Sequence, residues 1–145
     1  MATTRIIAMH RNKGCTAEQA LKARLDYIKN PEKTRDGELV TAFACHAATA
    51  DAEFALARKE YFEITGRWRE DEVIAYQIRQ SFKPGEVTPE EAHQIGIELA
   101  ERYLKGNHAF VVATHTDKEH VHNHLEWSAV TLDGMGTFRN FLGSG

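Results

Sequence analysis

The apolar residues of the chain fall into runs of two periods, one suited to strands and one to helices. Residues 4–10 (TRIIAMH) are β-branched and almost all apolar, which predicts a short strand. NKGC then turns, and Thr16 stands as N-cap of a helix over 17–30, with Gln19 as its capping-box partner. Ala20, Leu21, Arg24, Leu25 and Ile28 keep the three-and-four spacing, and Asn30-Pro31 ends the helix, leaving Tyr27 in its last turn. A second helix is predicted over 49–66, with Ala50, Phe54, Ala57 and Tyr61 along one side and Gly66 as the stop. Residues 72–82 (EVIAYQIRQSF) alternate and are β-rich, predicting a strand, and KPGE turns the chain. Thr88-Pro89-Glu90-Glu91 starts a third helix that runs to about Leu104 and closes at Gly106. HAFVVATH (108–115) reads as a central strand and HVHNHLEWSAVTL (120–132) as its neighbour; DGMG then leads into TFRNF.

The order is β-α-α-β-α-β-β, without repeats, linkers or low-complexity segments. The last two strands are joined by a short turn and must be antiparallel. The expected fold class is therefore α+β, an antiparallel β-sheet with helices packed on one face. At 145 residues the chain is one domain's length. Its 42% hydrophobic and 27% charged residues suit a soluble globular protein. No apolar run approaches the roughly 20 residues that span a bilayer, and the N-terminus lacks a signal-peptide core, so no membrane partner is expected. Cys15 and Cys45 form neither a disulfide framework nor a CxxC pair, which points to small buried thiols in the cytoplasm.

Charge changes this picture. The net charge is −3, yet residues 1–35 carry eight Lys/Arg against three acids, a local +5 that leaves −8 for the remainder. A basic segment on an acidic chain suits a phosphate-binding face, although a solvated helix face has the same composition.

Half of the eight histidines fall within HTDKEHVHNH, residues 115–124. On a strand, His120, His122 and His124 would share a face, and His115 ends the preceding strand where it meets them across the sheet. Neutral imidazoles from two adjacent strands make a facial ligand set that leaves positions open on a divalent cation. Such a cation keeps its full charge for a substrate anion. Asp117 is then expected to accept the other N–H of an imidazole. HExxH and zinc-finger spacings are absent and no cysteine is near, so an open site is favoured over a closed structural one.

His115-x-Asp117-x-x-His120-x-His122-x-His124, followed by an apolar strand, resembles the third motif of relaxases. These are the mobilization nucleases of conjugative plasmids and integrative elements, within the HUH endonuclease superfamily. LDYIKNPEKT resembles their first motif, with its tyrosine near the end of the first helix, and QSFKPGEVTPEEAHQIG resembles their strand–turn–helix segment. The likeness spans roughly residues 1–131 and implies that residues 1–145 are a relaxase nuclease domain, the N-terminal part of a longer protein.

The resemblance implies a site and a reaction. Tyr27 would attack a phosphodiester at an origin of transfer, giving a 5′-phosphotyrosyl enzyme and a free 3′-OH able to rejoin later. His115, His122 and His124 would hold a divalent cation, with Mg2+ or Mn2+ expected and Zn2+ as the alternative. His120 would serve beside them or as a proton relay; the register His120-Val121-His122 remains the competing ligand pair. Arg11, Lys13, Arg24, Lys29 and Lys33 are the expected phosphate contacts, and Ser81 a contact beside the nic. Glu126 would either add a carboxylate near the metal or face water. Gln77 stands where relatives often have histidine, and LEWSAV departs from the family's Asn-Ser ending. Expected partners are single-stranded origin-of-transfer DNA, accessory mobilization proteins and a coupling protein. The alternative function is a nonenzymatic DNA-binding or assembly module on the same fold. The remaining histidines (His10, His46, His93, His108) and tyrosines (Tyr61, Tyr76, Tyr103) are expected to be structural, with Phe54, Phe62, Trp68 and Phe82 in the core or at its rim.

Overall fold

A computed structural model of the chain describes residues 3–10, 16–67 and 73–138. Among these described residues five strands and three helices follow in the order β1 (Thr3–His10), α1 (Ala17–Ile28), β2 (Val40–Phe43), a 3-10 turn (Ala47–Thr49), α2 (Ala50–Thr65), β3 (Val73–Ser81), α3 (Pro89–Leu104), β4 (Phe110–His115) and β5 (His122–Ser128). The strands form one antiparallel sheet in the order β1-β3-β5-β4-β2.

The predicted capping box of α1 is present, and α3, whose start at Thr88-Pro89 was predicted, has one as well. Thr16 accepts from Gln19 N while the Gln19 side chain accepts from Thr16 N, and Thr88 and Glu91 do the same at α3. Gly66 takes the left-handed conformation that stops α2, but at α3 that role begins one residue earlier than predicted, at Lys105, with Gly106 following. The β2 strand was not foreseen. Its four residues are mostly half-buried at the sheet edge, too short for a clear alternation, and its pairing with β4 defines it.

The expectation of helices on one face is corrected, because β4 is buried on both. Ala109, Val111 and Ala113 pack with Leu21, Leu25 and Ile28 of α1 and Ala50 and Phe54 of α2. The alternate residues Phe110 and Val112 pack with Ala100 and Leu104 of α3, together with Leu125 and Trp127. A strand covered on both sides reads as a continuous apolar run, as HAFVVA does. Tyr76, Tyr103 and Trp127 form an aromatic cluster with Phe138, so the two tyrosines are structural as expected. Tyr61 and Phe54 are buried in α2, and Phe82 is buried just past β3, but Phe62 is 40% exposed. Cys45 is half-buried, its thiol held up to a pKa of about 11 chiefly by burial.

Beneath α3 a polar row crosses four strands. The His93 ring lies 2.7 Å from Thr41 Oγ1 and 2.8 Å from Thr114 Oγ1. Thr114 donates to Asn123 Oδ1 at 2.6 Å, and Asn123 Nδ2 donates to Gln80 Oε1 and to the Ala92 carbonyl at 2.9 and 2.7 Å. Each buried polar group is thereby satisfied. Gly96 of α3 rests directly on this row: an added Cβ would lie 2.8 Å from Asn123 Nδ2 and 3.0 Å from Val112 Cγ1. Helix propensity alone predicts that Gly96→Ala stabilises by about 1 kcal/mol. Because Asn123 is held by its hydrogen bonds and cannot give way, we expect a net loss of roughly 1–3 kcal/mol, read as a lower Tm.

Candidate metal centre and its tyrosine

The turn between β4 and β5 returns the chain so that His115 lies directly opposite His122, with His124 two residues further along β5 on the same face. All three are buried, and one ring nitrogen from each lies within 4.8 Å of the others. Their ring centroids are 4.4–5.0 Å apart. His115 Nε2 meets the Ile28 carbonyl at 2.8 Å, so it carries the proton and leaves the Nδ1 lone pair free. His122 Nδ1 meets the His120 carbonyl at 3.1 Å, which leaves Nε2 free. His115 Nδ1 and both ring nitrogens of His124 are buried with no hydrogen-bond partner among the described residues.

Burial holds the pKa of His115 and His122 below 6.5 and, with the two neighbouring imidazoles, pushes His124 down to about 2. Neutral imidazoles with convergent, orphaned nitrogens fit a divalent cation. Water or protons would leave part of this buried polarity unmatched.

The end of α1 brings Tyr27 over the cluster. Its ring packs edge-on against His115 and His124, at centroid distances of 5.7 and 6.0 Å, and remains 46% exposed. Arg24 and Lys33 lie over the Tyr27 ring, at 5.3 and 5.7 Å from its centroid. The loop after α1 is fastened to β4 by Thr116 N donating to the Lys33 carbonyl and Thr114 N to the Leu39 carbonyl. With the His115–Ile28 bond, these contacts set where the helix ends above the sheet.

Other residues singled out from the sequence take varied places. His120 lies outside β5 and is exposed, with Nδ1 3.3 Å from the Phe82 carbonyl, so it is not carried by the strand that holds His122 and His124, where the strand reading expected it. Asp117 pairs with Lys33 at 2.7 Å, and the Ile28 carbonyl, not Asp117, receives the His115 N–H. The Lys33 hydrogen bond holds the Asp117 pKa below 3.8. Glu126 does not face water. It is fully buried on the His124 face with both oxygens unpartnered, and burial pushes its pKa up to about 8, with Arg24 pulling the other way. It is not among the side chains whose ligand atoms converge. Arg24 donates to Gln77 Oε1, Lys29 donates to the Ala47 carbonyl, and Ser81 is half-buried opposite His122. Arg11, Lys13, Cys15, Trp68 and the side chain of His10 fall outside the described residues. His93 and His108 are buried structural histidines, whereas His46 is exposed and faces Glu53. Sequence reasoning missed the Ile28 carbonyl, because a backbone acceptor leaves no residue-type signal.

The site thus sets a tyrosine over three convergent imidazoles on an antiparallel sheet. Residues 27–142 match the family model "Relaxase: MobA/VirD2-like, nuclease domain", and the chain belongs to that family of DNA nucleases. It is 39% identical over 100 residues to protein rlx of Staphylococcus aureus, covering 69% of this chain and 28% of that protein. A second Staphylococcus aureus protein rlx is 52% identical over 65 residues, covering 45% of this chain and 20% of that protein. The group II intron-interrupted relaxase LtrB of Lactococcus lactis subsp. cremoris is 28% identical over 135 residues, covering 79% and 24%. The chain thus spans between a fifth and a little over a quarter of these relatives' length. No helix among the described residues is long and apolar enough to cross a membrane.

A cation bound only by the folded chain raises stability by mass action, about 2.7 kcal/mol at a hundredfold excess over Kd. Titrating Mn2+, Co2+ and Zn2+ separately should raise Tm for at least one of them. His124→Ala should abolish the rise.

Proposed function

We propose that this domain nicks and rejoins single-stranded DNA at an origin of transfer, with Tyr27 as the nucleophile, and so initiates conjugative transfer. The observation that carries the reading is the half-exposed Tyr27 ring against His115 and His124. A phosphodiester entering from solvent meets the phenol and the imidazole cluster together.

The phenolic oxygen of Tyr27 attacks phosphorus, the phosphorus–O3′ bond breaks, and the 3′ oxygen leaves to take up a proton. One phosphodiester is exchanged for another, so the 5′-phosphotyrosyl link keeps the energy needed for rejoining. His115, His122 and His124 would hold a divalent cation, which would supply Lewis-acid stabilisation of the charge on the phosphoryl oxygens. Arg24 and Lys33 set positive charge over the tyrosine ring. Gln77 orients Arg24, and Asp117 orients Lys33. His120 turns Nδ1 to the Phe82 carbonyl, which leaves Nε2 to accept the phenolic proton. In this assignment Lys29 and the residues Arg11 and Lys13 contribute phosphate contacts, while Glu126 stays protonated behind His124.

Incubation with a labelled origin-of-transfer oligonucleotide and Mn2+ should give a denaturant-resistant adduct on Tyr27, identified by mass spectrometry. Tyr27→Phe should abolish the adduct and leave the cation-induced rise in Tm unchanged; an adduct that persists in Tyr27→Phe removes the assignment. Oligonucleotide binding with no adduct under any divalent cation would instead support a nonenzymatic DNA-binding module. His120→Gln should slow adduct formation by about 10²-fold or more while keeping the rise in Tm, separating proton transfer from ligation.

A further inference from the structure

The sheet carries an open cationic step beside the imidazoles. In the row through His124, the directly opposed residue on β3 is Arg79, and the residue opposed to Arg79 on β1 is Arg5. Directly opposed residues of antiparallel strands share a face. At about 4.8 Å between strands, Arg79 and Arg5 stand roughly 5 and 10 Å from the His124 backbone, on the face that bears Tyr27.

Helix α1 covers this face only as far as Gln77, which is buried and bonded to Arg24. Beyond it Arg79, Arg5 and Ile7 are exposed. Like charges directly opposed on a sheet are destabilising. Among the described residues neither guanidinium has a hydrogen bond or an ion pair, and neither has a carboxylate opposite it in the sheet register. Arg79 stands directly opposite His124, so its charge lies beside the imidazole cluster. A pair of unshared guanidiniums in one row suits a ligand with repeated anionic groups.

We propose that Arg79 and Arg5 form a phosphate-binding step that holds the DNA backbone next to the scissile phosphodiester, so that the strand crosses β3 and β1 as it leaves the imidazoles. This rests on the reading of the site as DNA-cleaving. Ser81, the next same-face residue of β3 and opposed to His122, borders the same path. Ile7 supplies an apolar surface beside it.

The test is the salt dependence of binding to a short fluorescent oligo-dT, followed by anisotropy with wild type, Arg79→Gln, Arg5→Gln and the double variant. Each phosphate contact to single-stranded DNA contributes about 0.7 to the slope of log K against log salt. Each single variant should lower the slope by about 0.7 and weaken binding about fivefold at 0.1 M salt, and the double variant should lower the slope by about 1.4. Arg102→Gln removes one exposed charge from α3, on the opposite face, and should leave the slope unchanged. The double variant should melt no lower than wild type, since it relieves a like-charge pair. Slopes equal to wild type or to Arg102→Gln, or an absence of salt-dependent oligo-dT binding, would overturn the proposal. Adduct formation without a slope change would keep the nuclease reading and remove the arginine step. A slope change without adduct would do the reverse.

Discussion

The site depends on the antiparallel pairing of β4 with β5, which sets His115 opposite His122 and lets strand alternation return His124 to the same face. A slip of one residue would turn the imidazoles to the other side of the sheet. The polar row under α3 guards against that slip. Thr114 immediately precedes His115, and Asn123 lies between His122 and His124, so the residues that bond beneath α3 alternate with those that converge above. Shifting the register would bury the Thr114–Asn123–Gln80 chain without partners at a cost of roughly 1–3 kcal/mol per group. Positional accuracy on one face of the sheet is thus secured by hydrogen bonds on the other.

Burial then determines the chemistry of the imidazoles. A solvated cluster of three histidines would titrate near neutral pH, whereas here the charged forms are suppressed and the nitrogens keep their lone pairs. Positive charge enters the site from Arg24, Lys33 and Arg79, none of which has a lone pair to offer a cation. Neutral nitrogen donors and permanent cations are therefore separated by chemical type. Glu126 fits the same scheme: a carboxylate buried beside neutral rings without partners is driven towards its neutral form.

Much of the fold was legible in the chain. The capping boxes at Thr16 and Thr88 and the glycine stop at Gly66 are local devices whose residues lie within four positions of each other. The unbroken apolar run of β4 already indicated burial on both faces, although it was read as a sheet with helices on one side. The short strand β2 was missed because an edge strand of four residues has too few positions to show a period, and only its ladder to β4 defines it. Within the site, residue type and strand spacing picked out the histidine cluster, the resemblance to relaxases singled out His115, His122, His124 and Tyr27, and these four side chains lie together in the fold. His120 was placed on the wrong element, since β5 begins at His122 and the turn absorbs the two residues before it.

By itself the sequence determined which side chains were available and their local phase: a tyrosine in the last turn of a helix, two histidines two apart on a strand and a third at the end of the strand before. Those are short-range facts, governed by helical and strand periodicity. Tertiary structure alone decided that the Ile28 carbonyl, 87 residues away from the imidazole it orients, would accept the His115 N–H hydrogen bond, that Asp117 would go to Lys33, and that Arg5 and Arg79 would stand in one row with His124. Hydrogen bonds to backbone and cross-strand register join positions distant in the chain. No local pattern encodes them.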